Sequence, residues 1–401
     1  MDEINELKDK RVVIWGAKKR GQVISSFLWD YCKIHVDCFV DRDEHLIGTL
    51  QDDVCILSEI EFIKQYNRKD TMVIVGGYNP ENLDYISSFL KKNGFKGECV
   101  GCYDFHDKYE FPILLKRNEE NNIDYDKSID QWSDSILAEA VFWKDEVIRE
   151  TGMWHSHYLT RIDSSKEFLC NRVKEYIKPN SIVLDVGCGI CSNYGRFIDG
   201  KELLLTGVDP LAHFYNRMNR KAYEQGLSNN ILPPHIEFGM FEFLSYFFDE
   251  DSCDVIIIDN ALDHCIDPLS AIIECLKVLK VGGVLSTFHH RNEGYRNYYE
   301  DMHQWNVCSS YEGELIIWNK ESFININHEL KGYVSIDTKT RKSERVEMPF
   351  GGVVCNIIKE KEIPNIVSKP RKCHLGKVME LMMERLSDPA FAHEVINFWG
   401  E

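Results

Sequence analysis

No run of apolar residues in this 401-residue chain is long enough to cross a bilayer, so the sequence offers no transmembrane helix. The N-terminus, Met-Asp-Glu-Ile-Asn-Glu-Leu-Lys, lacks the apolar stretch of a secretion signal, and the expected location is cytoplasmic. Positive charge is in short supply. Forty-seven Lys and Arg face 65 Asp and Glu, for a formal charge of −18, which argues against nucleic acid as a main partner. The best basic cluster, Lys369, Arg371, Lys372 and Lys377, is too small to reverse that. No internal repeat or low-complexity tract is present. Fourteen cysteines without a secretion signal read as reduced thiols rather than a disulfide framework. Two Cys-x-x-Cys pairs, Cys99/Cys102 and Cys188/Cys191, would need to converge on one tetrahedron to bind zinc, and nothing in their placement favours it. No metal is expected.

The chain is long enough for two domains, each with its own core. Strands alternate with helices in both halves, which predicts an α/β protein made of two Rossmann-like three-layer α/β/α domains. Residues 1–106 form the first. Arg11–Gly16 is a strand and turn, followed by a helix from Arg20 to Tyr31. His35–Asp41 and Thr71–Gly77 are further strands, and Asn79-Pro80 opens a helix that closes at Asn93-Gly94. Residues 107–133 are polar and weakly periodic, as a linker would be. A helix capped by Asp134 then carries Ile136, Ala140, Trp143 and Val147 at helical spacing, read as core. Residues 134–360 are the second domain, and 361–401 a helical extension centred on Val378–Leu386.

The most informative run is Val183-Leu184-Asp185-Val186-Gly187-Cys188-Gly189-Ile190-Cys191. A buried strand ends near Asp185, and Gly187 and Gly189 make a tight turn that lets a ligand approach the backbone beside the amides of a following helix. A second strand, Leu203–Val208, ends at Asp209, where a ribose would present two hydroxyls. Ser192 stands where a dinucleotide site wants a third glycine, so the ligand is expected to be a nucleoside without phosphates.

These residues resemble motif I and the motif II acid of the class I S-adenosylmethionine (SAM) methyltransferases, over roughly Glu150 to Lys359. The resemblance implies SAM as cofactor and methyl transfer as activity. Gly187, Cys188 and Gly189 would line the methionine part of SAM, with Asp185 near its amino group, and Asp209 would hold the ribose. The family often has an acid at the position of Met240 to meet the adenine; here Phe241 stacking or a backbone contact is the fallback. Asp254–Asn260, with Ala261–Pro268, resembles motif IV, where the chain crosses beneath the transferred methyl and Asn260 faces the cofactor. The helix Ala271–Leu279, the Gly282-Gly283 turn and the strand Val284–Phe288 continue the same order. Tyr333–Ile336 and Val353–Ile358 would supply the antiparallel pair that closes this type of sheet.

For the acceptor, His264, His289, His290 and His303 all lie at or beyond the carboxyl ends of strands, where ligands bind in open α/β sheets. An imidazole suits a general base for a hydroxyl. A His-His pair could bind metal instead, but no spacing of Asp or Glu beside it makes a convincing set. A small molecule, with a sugar or nucleotide-linked sugar as first choice, is the expected substrate. The first domain loosely resembles the Rossmann-like domains of nucleotide-sugar enzymes. Its Gly16-Ala17-Lys18-Lys19-Arg20-Gly21 turn and Asp41 form a candidate second nucleotide site, although Lys18 stands at the second glycine position. Two rivals stay open: an NAD(P)-dependent oxidoreductase using Gly16–Gly21, and a SAM-binding protein without turnover. A homodimer is also open.

Overall fold

The computed structural model describes residues 2–77, 79–115, 123–163, 165–178, 180–310, 312–341, 351–364, 372–387 and 389. The chain divides into two compact units, Met1–Glu120 and, in the main, Asn121–Lys342 with Gly351–Glu401.

In the first unit, β1 (Arg11–Trp15), β2 (Cys38–Val40), β3 (Leu50–Gln51), β4 (Val54–Leu57), β5 (Thr71–Val75) and β6 (Glu98–Gly101) form one sheet ordered β3-β4-β2-β1-β5-β6. All pairs are parallel except β3 with β4, a hairpin edge the sequence reading did not foresee. Alternate side chains of the central strands, Val13, Trp15, Val73 and Val75, pack on Phe62, Ile86 and Leu90 of the flanking helices. The helix Pro80–Lys92 has Asn79 as its cap, Asn79 accepting from the Glu81 amide, and Pro80 at its first turn.

The second unit holds a seven-stranded sheet. Its strands are β7 (Ile182–Val186), β10 (Leu204–Asp209), β11 (Ile236–Phe238), β12 (Cys253–Asp259), β13 (Leu279–His290), β17 (Val334–Arg341) and β18 (Gly352–Lys359). The short strands β8 (Phe197–Ile198) and β9 (Lys201–Glu202) make a separate ribbon, and β14 (Asn306–Ser309), β15 (Leu315–Trp318) and β16 (Phe323–Asn325) a small antiparallel sheet. The order β11-β10-β7-β12-β13-β18-β17 is parallel up to β13, and β18 then runs antiparallel between β13 and β17. The expected closing pair is therefore present. One face buries Leu184, Val186, Ile256 and Ile258 with Ile272, Ile273 and Leu276 of the helix Pro268–Val278.

Three expectations are corrected. No helix follows Gly189: residues 190–196 are turns and bends. The chain there pairs with an earlier segment instead, Phe168 N donating to Phe197 O at 2.6 Å and Phe197 N to Lys166 O at 3.3 Å. The other sheet face accordingly buries Val183, Leu205, Val255 and Ile257 beneath Phe168, Cys170 and Val173 rather than beneath a helix in that place. Second, much of 107–133 is helical. Cys102–Phe105, His106–Glu110 and Phe111–Leu115 form successive turns, and the helix expected from Asp134 runs from Tyr125 to Phe142, capped by Asp124, whose side chain accepts from the Lys127 amide. Its buried Ile129, Trp132 and Ile136 explain the earlier start. Third, the helix at Val378–Leu386 begins at Lys372. Lys369 and Arg371 lie outside the described residues. No helix among the described residues is long and apolar enough to cross a membrane.

Candidate active site

A cavity of about 380 Å³ opens at the carboxyl ends of the second unit's parallel strands. That volume falls within the roughly 300–1,000 Å³ of small-molecule sites. Its wall carries Gly187, Cys188 and Gly189 after β7, Asp209 at the end of β10, Met240 and Phe241 after β11, and Asn260 after β12. Chain order brings these together because each sits just past the end of a parallel strand.

The turn after β7 is shaped by backbone that only glycine tolerates easily. Gly187 has φ +72° and Gly189 φ +61°. A Cβ on Gly187 would stand 2.5 Å from Phe241 Cζ and 2.8 Å from Ala261 Cβ. Asp209 fixes the turn, its Oδ2 accepting from Gly189 N at 2.9 Å and its Oδ1 from Leu211 N at 2.8 Å. A carboxylate offers about four lone-pair directions, so two remain for ligand hydroxyls. Burial pushes its carboxyl up to about 7, against the pull of those two amides.

Asp185 is placed differently from the role the resemblance implied. It is buried outside the cavity wall, where Ser192 and the Asn193 amide hold its carboxyl, and burial, with the charge of Asp259 second, pushes it up to about 7. It secures the turn. Met240 and Phe241 both reach the wall, and Phe241 lies against Gly187. Two residues on, Glu242 brings a carboxylate to the same wall, but its Oε1 already accepts from Ile266 N at 2.6 Å and Asp267 N at 3.2 Å. Asn260 has φ +52° and braces the end of β13, accepting from His290 N at 2.8 Å and donating to Glu293 Oε2 at 2.8 Å.

The sequence reading missed one side of the cavity. Trp132, Ile136, Glu139 and Phe142 of the helix Tyr125–Phe142, with Trp143 just beyond it, all face the space. Trp143 Nε1 donates to Glu139 Oε1 at 2.7 Å, and the Arg161 guanidinium lies 5.0 Å from the Trp143 ring centre. Arg161 also reaches the cavity and donates from Nε to Asn193 Oδ1 at 2.7 Å. A stripe at helical spacing gave no sign that part of it faces a ligand. Asp259, at the end of β12, is likewise on the wall, and Arg172 Nη2 meets its Oδ1 at 2.5 Å while Tyr194 donates to its Oδ2.

The four histidines separate. His264 and His303 line the cavity; His289 and His290 do not. His289 is buried, has no hydrogen-bond partner for either ring nitrogen among the described residues, and is pushed down to about 4 by burial. It stays neutral, away from the cavity. His290 Nδ1 lies 3.3 Å from Glu293 Oε1. His264 and His303 meet at Asp263, whose backbone oxygen accepts from Gln304 N at 2.9 Å and Trp305 N at 3.1 Å, drawing the loop of His303 onto the turn after β12. His303 Nδ1 is 2.7 Å from Asp263 Oδ2; although burial opposes it, that carboxylate raises His303 to about 9. The sequence offered no convincing Asp or Glu spacing beside a His-His pair; the fold brings Asp263 to His264 and His303 instead. Asp263 escaped notice because its partner His303 is 40 residues away.

In the first unit, Asp41 does not present an open carboxylate. Its Oδ2 accepts from Ala17 N at 2.9 Å, and its Oδ1 from Arg42 N at 2.8 Å and Asp43 N at 3.0 Å. Gly16 has φ +117°, and Gly21 packs against the Gly16 carbonyl. Lys18 is turned to Asp43, 3.2 Å away.

Residues 184–287 match a family model described as a methyltransferase domain. Similar solved structures include a SAM-dependent methyltransferase of Methanosarcina mazei (18% identity, 48% of this chain and 98% of that one, TM-score 0.30). Another is a putative S-adenosylmethionine-dependent methyltransferase of Listeria monocytogenes (14%, 47% and 96%, TM-score 0.30). A third is the N-methyltransferase NodS of Bradyrhizobium japonicum in complex with S-adenosyl-L-homocysteine (14%, 45% and 79%, TM-score 0.29). The family match spans the Gly187–Gly189 turn, Asp209 and Asn260, residues found on the cavity wall, so the likeness to a methyltransferase domain covers the part of the second unit that builds the cavity.

Proposed function

We propose that the protein methylates a hydroxyl of a small molecule, with a sugar or nucleotide-linked sugar as the first acceptor class to test. The observation that carries this is the convergence on one cavity of the glycine turn with Asp209 and of His264 and His303, which meet at the buried Asp263 beside it. SAM, when bound, supplies a methyl group made electrophilic by its sulfonium.

The residues fit that cofactor. The backbone at Gly187 and Gly189 leaves no side chain in the way, Asp209 keeps acceptor capacity for ribose hydroxyls, and Arg161 offers a guanidinium to a carboxylate. Asp209, Glu139 and Asp259 make the wall acidic, which favours a ligand bearing sulfonium and ammonium charge. Trp132, Ile136, Phe142 and Trp143 exclude water from the reacting centre, and for an in-line displacement alignment is the main task. His264 and His303 line the same wall and would hold the acceptor hydroxyl beside the methyl group.

The sugar preference rests on the acidic balance of the chain and on the first unit's Rossmann-like sheet. The oxidoreductase reading loses ground because Asp41 already accepts from three amides, leaving capacity for at most one of a ribose's two hydroxyls. Isothermal titration with SAM, then S-adenosylhomocysteine release with a panel of sugars and nucleotide-sugars, tests the proposal. No SAM binding removes it; SAM binding with no release from any hydroxylated acceptor leaves a protein that binds without turnover.

A further inference from the structure

Three ligand-type atoms from separate side chains converge beside the cavity. His264 Nε2 lies 3.3 Å from His303 Nδ1 and 3.4 Å from Asp263 Oδ2, and His303 Nδ1 lies 2.7 Å from the same Oδ2. The circle through them has a radius of about 1.8 Å, so a cation at roughly 2.0–2.2 Å from each would sit just off their plane. Hydrogen bonding explains the triangle less well. If His303 gives its Nδ1 proton to Asp263 Oδ2, His264 Nε2 is left either to donate to the same oxygen at a long 3.4 Å or to accept from His303 Nδ1 at 3.3 Å. The second oxygen of Asp263 is buried and has no hydrogen-bond partner among the described residues, an arrangement that normally calls for an explanation such as an ion.

We infer that Asp263, His264 and His303 form a binding site for a divalent first-row transition metal ion, with its open coordination positions toward the cavity. Two imidazoles and one carboxylate are a borderline donor set, suited to zinc, manganese or iron rather than to magnesium or calcium. Three protein ligands leave room for an outside one, as catalytic sites do, and His264 and His303 are on the cavity wall. The inference builds on the proposed methyl transfer to a hydroxyl. When bound, the ion would supply Lewis acidity to an acceptor hydroxyl, whose proton would leave to water at the cavity mouth before the centre is closed, and the oxygen lone pair would form the C–O bond as the methyl–sulfur bond breaks. The ion is redox-inert in this role, so no co-reactant is needed.

The test uses the full chain, stripped with a chelator and titrated with Zn²⁺ by calorimetry, with Co²⁺ absorption as a second readout. One equivalent is expected to bind, with a visible Co²⁺ band. His264→Ala, His303→Ala and Asp263→Asn are each expected to weaken Zn²⁺ by at least about 100-fold, the upper range seen for mere supporting residues. His290→Ala is expected to leave it unchanged, and circular dichroism shows whether each variant is folded. Absence of a saturable equivalent in wild type, or a folded His303→Ala that binds Zn²⁺ like wild type, overturns the inference. SAM titration of the same stripped protein keeps the two ideas apart: SAM binding with no saturable Zn²⁺ equivalent sinks the metal site alone, whereas Zn²⁺ binding without SAM binding sinks the methyl-transfer reading and leaves the site standing.

Discussion

Trp143 lies against Gly189, its indole filling the space that a side chain at position 189 would need. The two residues are 46 positions apart, yet a single methyl group would force one of them to move. Gly189→Ala is therefore expected to weaken SAM at least tenfold, with a backbone cost of order 1–3 kcal/mol at φ +61°. Gly187→Val is expected to abolish SAM binding, since its branched side chain would meet both Phe241 and Ala261. Calorimetry reads both, and undiminished affinity in Gly187→Val would place the cofactor elsewhere.

Asp209 predicts opposite pH trends for stability and for cofactor affinity. Asp209, Asp185 and Glu242 are each raised to about 7 by burial, whereas unfolded carboxyls titrate near 4. Between those values the folded state binds more protons, so these groups make the ligand-free protein less stable as pH rises from about 4 to about 7. Ribose hydroxyls need the ionised acceptor, so SAM affinity is expected to fall as pH drops below about 7. Thermal melts and SAM titrations from pH 5.5 to 8 check both trends. Asp209→Asn should flatten the affinity profile; a profile equally steep in the variant would acquit Asp209.

The histidines divide into those that matter for turnover and those that do not. His264→Ala and His303→Ala are expected to lower kcat by about 100-fold, through loss of a group that holds and activates the acceptor hydroxyl, with SAM affinity within a few-fold of wild type. His290→Ala, off the cavity wall and held by Glu293, is expected to keep most of its activity. This narrows the sequence expectation, which grouped all four histidines. Equal losses in all three would mean the cluster is structural.

Removing the guanidinium of Arg161 tests the far end of the cofactor site. Arg161→Ala is expected to raise the SAM dissociation constant by about tenfold, the worth of one charge-assisted hydrogen bond. Arg161→Lys should recover only part, because an ammonium cannot repeat the planar contact with Trp143.

For the first unit, the full chain is expected to give no quenching of NADH fluorescence at micromolar concentrations. Asp41 already accepts from Ala17, Arg42 and Asp43. Saturable quenching would reopen the oxidoreductase reading.

What the sequence made legible follows a pattern. Local chemistry was readable: Asn79-Pro80 as a helix start, Gly187 and Gly189 as a tight turn, Asp209 at a strand end, and β18 as an antiparallel closing strand. Tertiary returns were not. Trp143 and Glu139 sit on a helix whose buried Trp132 and Ile136 look the same in sequence as its cavity-facing positions. The missing helix after Gly189 depends on pairing between 166–168 and Phe197, a contact no local pattern encodes. Asp263 and His303 are joined by backbone bonds from Gln304 and Trp305, so their partnership exists only once the loop has folded back.

The helix Tyr125–Phe142 and its Trp143 extension precede the 184–287 segment of family likeness by more than forty residues. A truncation that removed only the chain up to Trp143 would keep Arg161, Asp209, His264 and His303 while discarding that wall. Such a fragment would leave a bound sulfonium open to solvent, and any activity lost would signal a missing shield rather than a damaged reaction centre.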